Sequence, residues 1–303
     1  MNLKVPIHQF LYSTVRIEAD LPNGTSVGTG FIAEYKFENN YFLFLVTNKH
    51  VVDKAIKGRF FFTKADEKNE PKMGDRLDIE ADFKKVWQFH PNGEDIAFTP
   101  FLPLLFQIER VMEERVYIKP IPLSLIPNKE QEEKLTALEE VIFIGYPSAI
   151  YDTKNLLPII RKGTTATPIP IDYEGKPLFL IDASVFPGSS GSPVFIYNFG
   201  SYSDTDGGLV PDSRIYFVGV ISQVLINEEY GKIEFKEIPS IKVPTYKTNQ
   251  ILNLGVVIKS RVIIETVEPF LQRIKPKLYI NEKLGKFDRP QIDIAREKNV
   301  DKL

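Results

Sequence analysis

Three side chains of this sequence have the types and the order that acyl transfer to a hydroxyl requires: His50, Asp95 and Ser190. A serine hydroxyl is too weak an acid to attack a carbonyl unaided. It needs an imidazole to take its proton, and the imidazole needs a carboxylate to fix its tautomer and stabilise the cation that forms. His50 closes the run Val46-Thr47-Asn48-Lys49-His50, Asp95 heads the run Asp95-Ile96-Ala97-Phe98, and Ser190 lies in Pro187-Gly188-Ser189-Ser190-Gly191-Ser192-Pro193. Each has a plain structural reading when taken alone: a core histidine at a strand end, an aspartate capping a strand after the turn Pro91-Asn92-Gly93, one more turn serine. Their coincidence in one chain, 45 and 95 residues apart, carries the chemical reading. His8 and His90 have no such company and read as structural, with His90 a surface neighbour of Asp95.

Strands must position these residues. From about residue 11 to 260, short β-branched and aromatic runs are punctuated by turn signals, from STVRIEA, VGTGFIAEY and YFLFLVTNKHVV to IYFVGVISQV, KIEFKEI and LGVVIKS. Such a series predicts an all-β core of the sandwich or barrel kind. The long connection from Ile121 to Leu138 divides the strands into two similar groups, which predicts two β-barrels with a cleft between them as the default site. Residues 1–120 would form the first barrel, with His50 and Asp95, and residues 121–260 the second, with Ser190. Leu104–Arg115 and Lys129–Glu140 carry apolar residues at three- and four-residue spacing and predict helical turns. Ser260–Ile274 predicts a helix capped by Ser260 and flawed by Pro269. Residues 275–303 are charged and aperiodic and read as a peripheral tail, so 261–303 make a C-terminal helix and tail.

The ordered set resembles the trypsin-like (chymotrypsin-fold) serine peptidases, in particular their cysteine-free bacterial branch. TNKHVV resembles the family's T-x-x-H segment, DIAF its D-I-A-L segment and GSSGSP its G-D-S-G-G-P segment. VGTGFIA resembles the glycine-bearing second strand of bacterial members, VIFIGYP the first strand of the second barrel, and GVISQV the serine-bearing strand that lines the substrate cleft. LGVVIKS followed by a helix resembles the family's last strand and C-terminal helix. The resemblance covers roughly residues 11–274. It implies two packed six-stranded antiparallel β-barrels and a serine endopeptidase that hydrolyses peptide bonds through an acyl-enzyme, without a cofactor. Ser190 would be the nucleophile, His50 the general base and then acid, and Asp95 the partner of His50, with Ser222 in support. The N–H groups of Gly188 and Ser190 would form the oxyanion hole. The substrate pocket would have Ser184 as its floor and Ser222, Gln223, Val224 and the segment from Gly255 as its walls, which implies a small or medium uncharged residue before the scissile bond. Asp182 is the competing floor residue. One departure matters: zymogens of the family carry an aspartate where this chain has Ser189, so the ordering of the loop is left open between its own hydrogen bonds and an activating partner.

Composition narrows the field. The 303 residues include 38 Lys+Arg against 40 Asp+Glu, a formal charge of −2, and no cysteine. Mixed charge and a pI near 6.1 leave no footprint for nucleic acid. Zero cysteines excludes a disulfide framework, a zinc ribbon or a thiol nucleophile. The first twenty residues lack the pattern of a signal peptide and no apolar run is long enough to span a bilayer, so a cytoplasmic protein with no membrane contact is expected. Gly28-Thr29-Gly30 lacks the third glycine of a dinucleotide site, no P-loop is present, and without His-Glu-x-x-His or an acidic loop no metal is expected. Protein or peptide is the substrate class that the resemblance implies. Two other readings stand beside it: a catalytically silent module that binds extended peptides by strand addition, and a latent protease that waits for a regulatory partner.

Overall fold

The structure is a computed structural model, and it describes residues 2–38, 40–147, 151–205, 207–230 and 247–278, with side chains left out at 224–230, 247–252 and 275–278. Sixteen strands are seen among the described residues. Eight belong to the first sheet: β1 (Thr14–Leu21), β2 (Gly24–Phe37), β3 (Asn40–Thr47), β4 (Lys57–Ala65), β5 (Pro71–Ala81), β6 (Gln88–Phe89), β7 (Ala97–Pro100) and β8 (Ile121–Pro122). The order is β5-β4-β1-β2-β3-β7-β6, antiparallel throughout, with β8 lying parallel to β2. Six strands close a second sheet into a barrel, in the order β10-β11-β16-β15-β12-β9. They are β9 (Glu140–Gly145), β10 (Ile159–Thr165), β11 (Leu178–Asp182), β12 (Pro193–Asn198), β15 (Arg214–Tyr230) and β16 (Lys247–Lys259); β13 (Tyr202–Ser203) and β14 (Leu209–Val210) form a small separate hairpin. The helices are short except the last: α1 (Pro6–Phe10), α2 (Lys49–Val52), α3 (Phe83–Val86), α4 (Leu102–Phe106), α5 (Lys129–Glu133) and α6 (Arg261–Leu278).

One closed six-stranded barrel therefore stands where two are expected, and the first sheet follows a path that does not close. The local cause lies between β5 and β6. The Asp82 carboxylate accepts the Lys84 N–H and starts the single turn α3, so β5 stops at Ala81. β6 is only two residues long before the turn at Pro91-Asn92-Gly93, and pairs with β7 alone. The sheet still curls round its own core of Val15, Ile17, Phe60, Phe62, Phe83 and Trp87.

The run YFLFLV looks too apolar for a half-exposed strand, and the structure shows why. Successive side chains of a strand point to opposite faces. Phe44 and Val46 enter the core shared by the two sheets, while Leu43 and Leu45 enter the core of the first sheet alone. β2 divides in the same way, Phe31 and Ala33 to one side and Ile32 to the other. The shared core receives Phe195 from β12, Phe217 and Val220 from β15, and Val262, Ile263, Val267 and Leu271 from α6. Inside the barrel, Phe143, Phe179, Ile181, Val194 and Val257 fill the interior. β2 and β3 are thus the plate onto which the barrel packs, and the candidate residues His50, Asp95 and Ser190 lie at that seam.

β10 does not stand among the predicted strands. Its sequence IIRKGTT sets Arg161 beside Lys162, which hides the alternation; its strand state is imposed by pairing with β9 and β11, whose closure the barrel requires. The helix α6 extends to Leu278, four residues past the predicted end and through Pro269. The KIEFKEI segment and residues 279–303 lie outside the described residues.

Candidate active site

His50 sits on α2, the single helical turn that follows β3. Val51 and Val52 are buried and pin the turn to the sheet. Gly28 is what lets Val51 in: a Cβ at Gly28 would stand 2.5 Å from Val51 Cγ1. The fully buried Asn48 joins this turn to the next element, since its Nδ2 donates to the Asp95 carbonyl at 2.9 Å.

Asp95 ends a tight turn organised by His90. The His90 Nδ1 accepts the N–H groups of Asn92 at 3.2 Å and Glu94 at 3.4 Å, so its proton resides on Nε2. His90 is buried, with Nε2 unpartnered among the described residues, and is not the surface neighbour its sequence position predicts. The Asp95 carboxylate accepts three hydrogen bonds. The His50 backbone N–H donates to Oδ1 at 2.9 Å, His50 Nδ1 to Oδ2 at 2.7 Å, and Ser222 Oγ to Oδ2 at 2.8 Å. An ionised carboxylate can only accept, so Nδ1 carries the proton and the neutral imidazole has its lone pair on Nε2.

Ser190 occupies the loop between β11 and β12, and it reaches the other two through Ser222. Its Oγ donates to the Ser222 carbonyl at 3.0 Å, on the same residue whose hydroxyl binds Asp95. Ser190 is not bonded to His50 in this structure; the hydroxyl points to the β15 backbone, and a rotation about χ1 is what would redirect it.

The loop itself is held from several sides. Ser189 N–H donates to Phe186 O at 3.0 Å across Pro187-Gly188, and Gly188 has φ +88°, a turn that places proline and a left-handed glycine where a type II turn needs them. Ser192 N–H donates to Ser189 O at 3.0 Å and Gly191 N–H to Ile221 O at 2.8 Å. Gly191 has φ +87°, and a Cβ there would overlap the Thr29 carbonyl oxygen, so only glycine fits. The N–H groups of Gly188 and Ser190 have no acceptor among the described residues.

The pocket residues are less gathered. Ser184, Asp182 and Gln223 are exposed, and Ser222 is buried at the seam. Val224 pairs with Gly255 along β15 and β16, and its side chain is outside the described residues. The open face of Gly255 is covered by Val185 and Ile181, 2.7 and 3.1 Å from where its Cβ would be. Among the described residues no cluster of three or more His, Cys, Asp or Glu could hold a metal ion, and no helix is long and apolar enough to cross a membrane.

Residues 28–198 match the family model of the trypsin-like peptidase domain, a span that includes His50, Asp95 and Ser190. The chain belongs to the trypsin-like peptidase domain family. The family is one of peptidases, a class of hydrolases. Among solved structures, the active form of the Rv3671c protease from M. tuberculosis is 17% identical, with a TM-score of 0.44, and the alignment covers 87% of this trypsin-like chain and 83% of that one. The HtrA-type protease AlgW with tripeptide is 12% identical at a TM-score of 0.46, covering 94% and 73%. The serine endoprotease from Yersinia pestis is 14% identical at a TM-score of 0.42, covering 90% and 67%. No curated protein matches the sequence.

Thr29 and Asn48 carry no role in the sequence reading, and Thr47 enters it only as the threonine of T-x-x-H, although all three are fully buried beside this site. The signal was present in the motif VGTG, whose glycines make room and whose threonine makes bonds.

Proposed function

We propose that this trypsin-like domain hydrolyses peptide bonds through an acyl-enzyme. The observation that carries this reading is the single carboxylate of Asp95, which binds both the ring and the backbone of His50 while Ser222 links it to Ser190. Ser190 Oγ attacks the scissile carbonyl as His50 Nε2 takes its proton. The imidazolium, stabilised by Asp95, gives that proton to the departing amine, and the C–N bond breaks. Water, deprotonated by the same Nε2, then attacks the ester and releases the acid and Ser190. The unpartnered N–H groups of Gly188 and Ser190 stabilise the oxyanion, and donors of this kind contribute about 3–4 kcal/mol each. The first sheet, curled round its own core, is read as the counterpart of the family's first barrel.

For specificity, Ser184 brings no charge, and Val185 fills the space over Gly255. Both favour a small or medium uncharged residue before the scissile bond. The bond from Ser190 to Ser222 supports one variant of the reading, in which substrate or a partner turns the hydroxyl to His50.

The test is labelling with a fluorophosphonate probe, mapped by mass spectrometry, on the protein and its Ser190→Ala variant. Labelling at Ser190, lost in the variant, is expected. Labelling only after addition of cell lysate would assign latency, and no labelling under either condition would leave the silent binding module as the reading.

A further inference from the structure

Thr29 lies on β2, opposite the catalytic loop, and is wholly buried. Every polar group it has is committed to the seam. Its N–H donates to Ser190 O at 2.9 Å, and its carbonyl accepts from Thr47 Oγ1 at 2.7 Å. Its hydroxyl accepts the Tyr146 N–H at 2.9 Å, just after β9, and donates to Gly188 O at 3.1 Å. A hydroxyl has one proton. With Tyr146 N–H directed at the oxygen, that proton is committed to Gly188.

The consequence is on the peptide between Gly188 and Ser189. Its N–H is held by Phe186 O and its C=O by Thr29, so it is gripped at both ends. Gly188 is otherwise the softest residue of the loop, since nothing on a missing Cβ limits its two torsions. The Ser189 side chain adds no grip: it is buried and its Oγ has no partner among the described residues. The next peptide is fixed by Ser192 N–H on Ser189 O, and trans peptide geometry then points Ser190 N–H the opposite way.

We propose that Thr29 is a positioning residue whose hydroxyl orders the oxyanion loop from across the seam. This rests on the reading of Ser190 as nucleophile and of Gly188 and Ser190 as its oxyanion donors. Thr29 touches no substrate. It acts by holding the Gly188 carbonyl back, so that the neighbouring N–H groups are set before substrate arrives.

The test compares Thr29→Ala with Thr29→Ser. Both remove the methyl, and they differ only in the hydroxyl. Turnover on a cleaved peptide, melting temperature, and deuterium uptake of the segment 186–191 are measured for each, with Ser190→Ala alongside. Deleting an oxyanion donor outright costs about 100- to 1000-fold in kcat, so misorienting one should cost about 10- to 100-fold in Thr29→Ala, with KM little changed. Uptake at 186–191 should rise about tenfold there and stay near wild type elsewhere in the chain. Thr29→Ser should keep kcat within about threefold of wild type, since it keeps the bond. Equal kcat and equal uptake for the two variants would overturn the proposal. Undiminished turnover in Ser190→Ala would instead refute the nucleophile, and the uptake comparison would still decide whether Thr29 orders the loop.

Discussion

Replacing Asp95 by asparagine exchanges one oxygen for an NH2 group and tests the whole proton-transfer scheme. The orientation of the new amide is dictated by the structure. The His50 backbone N–H, 2.9 Å from Oδ1, can only donate, so the remaining carbonyl oxygen must stay in that place. The amide nitrogen then takes the Oδ2 position, 2.7 Å from His50 Nδ1 and 2.8 Å from Ser222 Oγ. Both neighbours must become acceptors. Ser222 does so by rotating its hydroxyl, and His50 does so by moving its proton to Nε2. The ring then offers Ser190 an N–H where a lone pair is required. Holding the wrong tautomer in a Ser-His-Asp arrangement costs about 10⁴ in kcat, or about 5 kcal/mol of transition-state stabilisation. KM should change by less than about threefold, because no substrate contact is touched. The assay is steady-state cleavage of a library-selected peptide, with the melting curve as control for folding. A well-folded Asp95→Asn protein that keeps more than about a tenth of wild-type kcat would show that Asp95 does not set the tautomer of His50, and the scheme would fail.

Gly191→Ala should lower stability by at least about 2 kcal/mol in urea titration, because left-handed φ costs an alanine about 1–2 kcal/mol before the overlap with Thr29 O is counted; a change under about 0.5 kcal/mol would refute the close approach. For Asp172, burial raises the carboxyl pKa, but hydrogen bonds and charge from Lys259 and Arg261 outweigh it and hold the group below its ordinary value. A lowered folded pKa gives stability that is present above the unfolded value and lost as pH falls through the folded one, so Asp172→Asn should melt lower at neutral pH and converge with wild type in strong acid. A gap that persists unchanged in acid would remove the ion pair as its cause. A peptide library should be cleaved chiefly after Ala, Val, Thr or Leu; cleavage chiefly after Arg or Lys would transfer the pocket floor from Ser184 to Asp182.

The fold was legible where hydrophobic periodicity is a property of the strand itself. Phe31–Ala33 of β2 and Leu43–Val46 of β3 are buried on both faces, and these runs are continuously apolar for that reason. β10 depends on its neighbours, and its Arg161-Lys162 pair carries no strand signal. The open seam of the first sheet was not legible either, because it follows from the Asp82 cap and a two-residue strand, features of single residues that a count of strands passes over.

The site divides along the same line. His50, Asp95 and Ser190 announce themselves because their chemistry is in the side chain and their order in the chain is distinctive. Thr29, Asn48 and His90 act through hydrogen bonds to other residues' backbones, and a backbone partner has no residue type to read; only the glycines that flank Thr29 mark its place. Yet these are the residues that bring the three together: Asn48 ties the His50 turn to Asp95, His90 shapes the turn that presents Asp95, and Thr29 ties the first sheet to the Ser190 loop. Since Thr29 also receives Tyr146 N–H from the barrel, the same hydroxyl joins the first sheet to the barrel and to the β11–β12 loop. Parting the two sheets at Thr29 would therefore break the bond from Tyr146 N–H and disturb the same hydroxyl that donates to Gly188, which couples the integrity of the seam to the geometry at Gly188.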